Sequence, residues 1–257
     1  MGYEHVEVTW HDWYATVWMS LPERRNALSE AHMRELLAAF REVGDSDARG
    51  IVLAGQGPVF SAGHDFGDMA GRDLGQMRTL LGVCVELMET MQQVPQVVLA
   101  RVHGLATAAG CQLVATADLA VAAESAGFAT PGGKGGWFCH TPMVALARSV
   151  GRKRAVEMGF TGDPIDAATA LDWGLVNRVV PDEDLDATCT ELLDRATRGS
   201  RFSKGVGKQA LYHQMGLPQH DAYAYALEVM ASTSQSADAV EGMAAFLDKR
   251  RAEWQHT

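Results

Sequence analysis

Two segments rich in glycine and alanine contain the residues of this 257-residue chain that are best suited to chemistry. The first is residues 60–66 (FSAGHDF), which follow a short apolar run at 51–54 and a Gly-Gln-Gly-Pro turn. Small residues let the backbone approach a ligand closely, and Gly63 tolerates dihedral angles that a side chain forbids. Taken alone, the segment is equally compatible with a simple turn.

The second segment is residues 103–113 (HGLATAAGCQL), which follow a predicted strand and open a predicted helix. The first N–H groups of a helix have no acceptor within the helix and bear partial positive charge, so they suit an anionic oxygen. Two such donors, brought together, would form an oxyanion hole. A donor of this kind typically contributes about 10²–10³ in rate.

The pair of segments resembles the two signature segments of the enoyl-CoA hydratase/isomerase (crotonase) family. In that family one N–H donor to the thioester carbonyl belongs to the residue after the glycine of the first segment. The other belongs to the middle residue of a Gly-Gly-Gly-like triplet. The resemblance assigns these roles to the backbone N–H groups of His64 and Ala109, the triplet being Ala108-Ala109-Gly110. It implies an acyl-CoA thioester as ligand, with coenzyme A as part of the substrate and no other cofactor.

Further matches extend along nearly the whole chain. Residues 22–28 (PERRNAL) resemble the family's segment beside the CoA nucleotide, residues 168–180 its helix-to-strand junction, and residues 246–251 (FLDKRR) a terminal segment near the CoA phosphates. The alternative for the basic residues of these segments is that they form a charge cluster in solvent and bind no phosphate. The predicted substrate contacts are Arg24, Arg25 and Lys249, with Arg250 and Arg251, for the phosphates, and Ala62, Gly63, Asp65, Gly110, Pro131 and Gly132 around the acyl thioester.

The chain departs from the family where acid–base chemistry is expected. Typical hydratases use two glutamates, but this chain has Gln112 at one position and Gly132, in the pattern Phe128-Ala-Thr-Pro-Gly, at the other. Glutamine can hydrogen-bond a water but cannot accept its proton near neutral pH, and glycine has no side chain. Because general acid–base help is commonly worth about 10²–10⁴ in rate, hydration by two carboxylates is not expected.

One candidate acid or base remains on the facing loop. Relatives that isomerise or dehalogenate acyl-CoA place an aspartate twelve residues beyond the equivalent of Phe128, and that position here is His140. An imidazole exchanges protons near neutral pH. Thr141 followed by Pro142 predicts an N-cap and first helical residue, so His140 is expected just before a helix. The alternative is a histidine that lines the pocket or caps the helix.

Other chemistry in these segments is disfavoured. The Cys139-His140 pair suggests a thiol nucleophile, but adjacent side chains seldom point at each other and no orienting acid is identifiable. Residues 131–136 lack the Gly-Lys-[Ser/Thr] ending of a phosphate-binding loop and are interpreted as a flexible lip on which Lys134 approaches the acyl-CoA. The His-Asp pair at 64–65 has no third ligand at helical spacing, so no metal is expected.

The elements that must position these segments alternate between strand and helix. Alternating apolar residues predict a hairpin from strands 6–10 and 14–19, and Ser29 is the predicted N-cap of the following helix. This alternation predicts an α/β fold, which the resemblance refines to a crotonase-like (ClpP/crotonase) spiral of β-β-α turns. The remaining predicted elements are strands 51–54, 97–102 and 119–122, helices 76–91 and 110–116, and the later helices 183–197, 203–214, 218–232 and 237–251.

The last part of the chain has a different pattern from the first. Beyond residue 180 only helical patterns are found, so we divide the chain into an α/β core at 1–195 and a C-terminal helical region at 196–257. No linker or low-complexity tract separates them, and we treat them as one structural unit. The resemblance implies that the helical region assembles the protein into trimers, often paired into hexamers.

Composition limits the classes of partner. The chain is 47% hydrophobic and 21% charged, with a formal net charge of −10. This balance is typical of a globular protein and argues against broad attraction to nucleic acid or an anionic membrane. The four cysteines form no CxxC pair, which favours free thiols. Neither a signal peptide nor an apolar run of about 20 residues is found, so the expected location is the cytoplasm.

Three hypotheses about function follow. The first is an enzyme of the enoyl-CoA hydratase/isomerase type, in the lyase or isomerase class, that stabilises a thioester enolate. Its proton transfer would use His140, a water on Gln112 or the substrate itself. The second is a catalytically reduced protein that binds acyl-CoA without turnover. The third, a serine protease of the related Clp architecture, needs a Ser/His/Asp set that the sequence does not reveal.

Overall fold

The strands form two sheets in the computed structural model, which describes residues 2–257. The larger sheet of this region has six strands in the order β1-β2-β3-β4-β6-β9, and the smaller has three in the order β5-β7-β8. The strands are β1 (Val6–Trp10), β2 (Tyr14–Met19), β3 (Gly50–Gly55), β4 (Val97–Val102), β5 (Leu105–Thr107), β6 (Leu119–Ala123), β7 (Gly127–Ala129), β8 (Ile165–Asp166) and β9 (Arg178–Val180).

The helices surround the larger sheet and then continue into the C-terminal region. They are α1 (Glu30–Gly44), α2 (Phe66–Met69), α3 (Leu74–Gln93), α4 (Ala109–Thr116), α5 (His140–Ser149), α6 (Arg152–Thr161), α7 (Ala167–Trp173), α8 (Leu185–Thr197), α9 (Arg201–Gln214), α10 (Gln219–Thr233) and α11 (Ala237–Leu247). None of the helices in residues 2–257 is both long and apolar enough to cross a lipid bilayer.

The larger sheet is covered on both faces, which explains its apolar strands. Strand β3 is buried at every position. Its residues Ile51 and Leu53 belong to the main core with α1, α3 and α4. The alternate residues Val52 and Ala54 belong to a second core on the other face, with α8. The β2-β3-β4-β6-β9 pairs are parallel, so continuous apolar runs are expected in place of strict alternation.

Several predicted elements are confirmed closely. The hairpin strands and strand 97–102 have the predicted bounds. Ser29 is the N-cap of α1, because its side chain accepts a hydrogen bond from the backbone N–H of His32. The α/β fold class is likewise confirmed. The short strands β5, β7 and β8 of the smaller sheet were not predicted, since two or three residues are too few to establish a period.

Two helix boundaries were predicted incorrectly. Helix α5 begins at His140, with Cys139 at the N-cap position, so Thr141 is not the cap. Pro142 is tolerated as the third residue because N–H groups in a first turn lack helical acceptors. The last helix ends at Leu247 instead of 251, and Lys249 has left-handed backbone angles (φ 54°) that end the helix.

Candidate active site

The two glycine- and alanine-rich segments lie against each other. The backbone of Ser61 pairs with the start of the smaller sheet, donating to Leu105 O at 3.2 Å and accepting from Thr107 N at 2.9 Å. A Cβ added to Gly63 would lie 2.7 Å from Thr107 O and 3.2 Å from Ala109 N. The turn that bears His64 therefore touches the first residue of α4 and leaves no room for a side chain at Gly63.

Both predicted oxyanion donors are free of protein acceptors. Ala109 is the first residue of α4, and His64 lies in the facing turn. Neither backbone N–H donates to any group of residues 2–257. The neighbouring groups are engaged, because Leu28 N donates to Gly63 O at 2.8 Å and Asp65 N donates to Leu28 O at 3.1 Å. The geometry thus leaves two unpaired donors on adjacent segments.

A strained residue directs one of these donors. Ala108 has φ 49° and ψ −115°, a backbone conformation that residues with a side chain rarely adopt. Strain of this kind costs about 1–3 kcal/mol and persists only where surrounding contacts enforce it. One such contact is the hydrogen bond from Ala108 N to Ala129 O at 2.8 Å, on strand β7. The sharp turn ends β5 and starts α4 with the N–H of Ala109.

The side chain of Asn26 holds the backbone that leads into the first segment, a role that the sequence did not predict. The residue is fully buried. Its Nδ2 donates to Gln56 O at 2.8 Å and to Val59 O and Phe60 O at 3.1 Å each, while its Oδ1 accepts from Leu21 N at 3.0 Å. One amide therefore joins the turn before the site to residues 21–26.

Ser61 extends this buried network to the site. Its hydroxyl donates to Asn26 O at 2.8 Å and accepts from Gly63 N at 3.2 Å. Asn26 belongs to the segment 22–28 that the sequence assigned to the CoA nucleotide. The available signal was an asparagine next to two arginines, at a position where asparagine tolerates the left-handed backbone found here (φ 51°).

The Asp65 carboxylate joins Arg24 to the site. Arg24 Nη2 lies 2.6 Å from Asp65 Oδ2, and Asp65 Oδ1 accepts from Gly67 N at 2.9 Å as the N-cap of α2. Asp65 is buried, so its role in the structure is to hold the turn after His64 and to neutralise Arg24. Arg25 is exposed and forms no ion pair within residues 2–257. Phosphate binding by either arginine stays a prediction.

The His64 imidazole is neutral at ordinary pH. Burial lowers the pKa of His64 to about 4, because desolvation penalises the charged ring. Its Nε2 is buried without a hydrogen-bond partner in residues 2–257. The side chain therefore adds no full positive charge beside the two N–H donors.

Gln112 occupies a buried position on α4. Its backbone N–H donates to Ala108 O at 3.0 Å, and its Oε1 lies 4.0 Å from Cys84 Sγ, which donates to it. Burial raises the pKa of Cys84 to about 12, so the sulfur remains a thiol. Neither group takes up a proton from water at neutral pH.

Gly132, the position that the sequence assigned to the second glutamate of the family, has no space for a side chain. A Cβ there would lie 2.3 Å from Trp137 O and 2.7 Å from Cys139 Sγ. Residues Pro131–Gly135 form a 3-10 turn, and Trp137 N donates to Gly132 O at 3.0 Å. The flexibility of the lip at 131–136 stays a prediction. Lys134 forms an ion pair with Asp163 at the surface. Restoring a carboxylate at Gly132 would require this loop to move.

His140 lies at the exposed start of α5. Its ring packs edge-to-face on Phe138, with centroids 5.2 Å apart. No hydrogen bond joins its imidazole to another residue in the described part of the chain. A role for His140 as acid or base stays a prediction.

Neither a thiolate nor a metal is supported. Burial raises the pKa of Cys139 and raises that of Cys111 to about 12, so both sulfurs remain thiols. Within residues 2–257 no group of three or more His, Cys, Asp or Glu side chains is arranged to hold a metal ion.

An apolar pocket of about 280 Å³ adjoins the site. It is open to solvent and is lined by Phe66, two residues after His64, and by Trp137 from the loop that packs on Gly132. Its remaining walls are Met69, Ala70 and Met77. A larger cavity of about 530 Å³ lies between α9, α10, α11 and the C-terminal residues, and its lining includes no residue of the two site segments.

The basic residues at the C-terminus differ in their pairing. Arg250 binds Glu241 through two hydrogen bonds of 2.6 and 2.8 Å, and this guanidinium lowers the pKa of Glu241 to about 2. Lys249 and Arg251 have no ion pair within residues 2–257. Contact between Lys249 and a CoA phosphate stays a prediction.

Fold and site together define an α/β protein in which two backbone N–H groups on touching segments have no acceptor within residues 2–257. The chain belongs to the enoyl-CoA hydratase/isomerase family. The model of that family matches residues 14–257. Its fold is crotonase-like, as the resemblance implied.

Individual relatives agree with this assignment. The chain is 42% identical over 240 residues to enoyl-CoA hydratase domain-containing protein 3, mitochondrial, of Rattus norvegicus, covering 93% of this chain and 80% of that protein. A crystal structure of enoyl-CoA hydratase from Mycobacterium smegmatis has a TM-score of 0.94 and 41% identity, covering 98% of this chain and 99% of the other. The crystal structure of human enoyl-CoA hydratase domain-containing protein 3 has a TM-score of 0.94 and 38% identity, covering 98% and 100%. The names of the animal relatives say mitochondrial, so the predicted cytoplasmic location is not confirmed.

Proposed function

We propose that the protein binds an acyl-CoA thioester and holds its carbonyl oxygen between the backbone N–H groups of His64 and Ala109, where an enolate is stabilised. The observation that supports this most directly is the pair of unpaired donors on touching segments, enforced by Gly63 and the strained Ala108. Donors fixed before the reaction stabilise developing negative charge without reorganisation. The proposal needs no cofactor beyond the CoA of the substrate.

Ordinary two-glutamate hydration is not part of this proposal. Gln112 is an amide, and the loop around Gly132 has no space for a carboxylate. The remaining proton carriers are the exposed His140, a water bound by Gln112 and the substrate itself. Reactions that shift a proton at the acyl α-carbon need only one such carrier, and they suit the site better than addition of water.

A catalytically reduced acyl-CoA-binding protein is the second candidate. The observation in its favour is that both residues replacing the glutamates are non-titrating and closely packed. In this reading the oxyanion hole contributes affinity alone. The two candidates predict the same ligand and differ in turnover.

Self-association as a trimer or hexamer is also proposed, through the helical region. Every residue of α10 is at least partly exposed, and large apolar side chains face outward on it and on α11. Exposed apolar patches of this extent are typical of interaction surfaces. The most exposed of these side chains are Tyr223, Leu227, Met230, Phe246 and Leu247. Light scattering on the full chain tests this, and a monomer at micromolar concentration contradicts it.

Binding and turnover are tested separately. Calorimetry with a panel of CoA thioesters measures affinity, and absence of binding to all of them contradicts the proposed function. Deuterium wash-in at the acyl α-carbon, followed by mass spectrometry, reports enolate formation. Exchange that is lost in His140→Ala identifies His140 as the base, and exchange that persists excludes it. No exchange across a panel that binds favours the second candidate.

A further inference from the structure

The apolar pocket beside His64 has walls that depend on a very short helix. Phe66, Met69 and Ala70 come from α2 and the residue after it, and Met77 comes from the second turn of α3. Helix α2 has four residues, far fewer than a helix needs for stability by itself. The position of this wall must therefore come from contacts outside α2.

Asp65 caps the start of α2. The end of α2 is held by a cluster of charges, which we call the Arg72 cluster: Arg72, Asp68 and Glu30. Arg72 donates from Nη2 to Asp68 Oδ1 at 2.8 Å, from Nε to Asp68 O at 2.7 Å, and from Nη1 to Glu30 Oε2 at 2.7 Å. The other oxygen of Asp68 accepts from the backbone N–H of Glu30, the first residue of α1, at 2.8 Å. The guanidinium thus joins two carboxylates and one backbone carbonyl, and such charge-assisted bonds are stronger than hydrogen bonds between neutral groups.

The Arg72 cluster joins α2 to a rigid part of the core. Helix α1 has buried apolar residues along its length and packs on α3. The Arg72 side chain is only 21% exposed, so solvent screens its bonds less than those of ordinary surface pairs. Met69, between Asp68 and the pocket residue Ala70, is itself buried. Moving the cluster would move three of the five pocket walls.

The chemistry of the pocket indicates what it accepts. Its five lining side chains are all apolar, and the pocket lies between the turn that bears His64 and the loop of Trp137. An acyl chain that leaves the thioester toward it meets hydrocarbon, sulfur and aromatic surface. A polar or charged chain end would lose hydration there without gaining a hydrogen bond.

We propose that the Arg72 cluster sets acyl-chain selectivity, by fixing the wall of an apolar pocket that takes an unfunctionalised hydrocarbon chain. The inference rests on the proposed function, since it assumes that an acyl-CoA is the ligand. Arg72 is in this sense a positioning residue, because it acts through Phe66 and Met69 and does not touch the ligand.

The test compares Arg72→Met with Arg34→Met in the full chain. Arg34 is a matched control because it binds the same Glu30, through Nε at 3.0 Å and Nη2 at 2.8 Å, but is 52% exposed and makes no contact with Asp68. Calorimetry measures the affinity for acetyl-CoA, octanoyl-CoA and octanedioyl-CoA, which ends in a carboxylate. For each variant we compare the ratio of the affinity for octanoyl-CoA to the affinity for each of the other two thioesters.

Wild-type protein and Arg34→Met are expected to prefer octanoyl-CoA by at least about tenfold, from burial of the additional methylenes. Arg72→Met is expected to retain acetyl-CoA binding and to reduce the preference to about threefold or less. Arg72→Lys keeps the charge but not the fork and is expected to fall between them. If Arg72→Met does not fold, the preference of Arg72→Lys for octanoyl-CoA tests the inference instead.

The outcomes separate this inference from the proposed function. If no thioester binds to the wild type, both are overturned. If all three thioesters bind with similar affinity, the proposed function stands and the selectivity inference is overturned. If Arg72→Met and Arg72→Lys both keep the wild-type preference, the Arg72 cluster does not set it.

Discussion

The turn at 60–66 and the loop at 131–140 face the same site but are built differently. The turn is held by two buried polar side chains, Asn26 and its own Ser61, and by backbone pairing with the smaller sheet. The loop contains a 3-10 turn, packs on α6 through the rings of Phe138 and Phe160, and ends at the exposed His140. The fold therefore fixes the backbone of the turn through buried contacts, whereas His140, the proposed proton carrier, lies at the surface.

The largest loss of stability is expected from Asn26→Asp, a change in the side chain that holds the turn at 60–66. The substitution preserves size but removes three amide donations to backbone carbonyls and buries a carboxylate among them. We expect the free energy of unfolding to fall by about 4 kcal/mol, because each unpaired buried group costs about 1–3 kcal/mol. Urea denaturation measures this.

Asn177→Asp is the matched control for that change. Asn177 is exposed, and its Oδ1 accepts from Ala120 N at 2.8 Å, a role that a carboxylate keeps. Equal losses of stability in the two variants would contradict the special role of Asn26 beneath the site.

The second prediction removes one oxyanion donor without altering side chains. Replacing the amide at Ala109 by an ester, through incorporation of lactic acid, deletes the N–H but leaves the shape of the backbone. We expect α-proton exchange, where the wild type catalyses it, to slow by about 10²–10³. The same replacement at Ala115, within α4, controls for the ester itself. Equal rates for the two esters would exclude Ala109 as a donor.

The third prediction concerns pH and the His64 side chain. The pKa of His64 is about 4 in the folded protein, below the ordinary value of about 6.5, so the unfolded chain binds more protons between these values. The contribution to stability is therefore complete above pH 6.5 and is lost as the pH falls toward 4. His64→Gln should reduce the pH dependence of unfolding in this window by on the order of 3 kcal/mol. An unchanged slope, or an NMR titration of His64 near pH 6.5, would contradict it.

The smallest loss of stability is expected from a substitution in the loop at 131–140. Gly132→Ala places a Cβ 2.3 Å from Trp137 O, so the loop must shift, and we expect a loss of about 2 kcal/mol. Gly135→Ala is the control, because a Cβ there meets no heavy atom of residues 2–257 within 4 Å. If Gly132→Ala is as stable as the control, the close contacts at Gly132 do not constrain the loop.

Much of this protein was predictable from sequence because it depends on local pattern. The strands at 6–10, 14–19 and 97–102 and the cap at Ser29 follow from periodicity and capping chemistry within a few residues. The correspondence of Gln112 and Gly132 to the family's glutamates came from the resemblance and stays a prediction. The family assignment also needed only short segments in the correct order.

The tertiary structure alone decided what surrounds those residues. The sequence does not show that Asn26 donates to three carbonyls 30 to 34 positions away. Nor does it show that Trp137 O leaves no room for a side chain at Gly132, or that Arg72 joins α2 to α1. Each depends on the approach of segments that are distant along the chain. Periodicity describes which face of an element is buried, but only packing determines which atoms meet there.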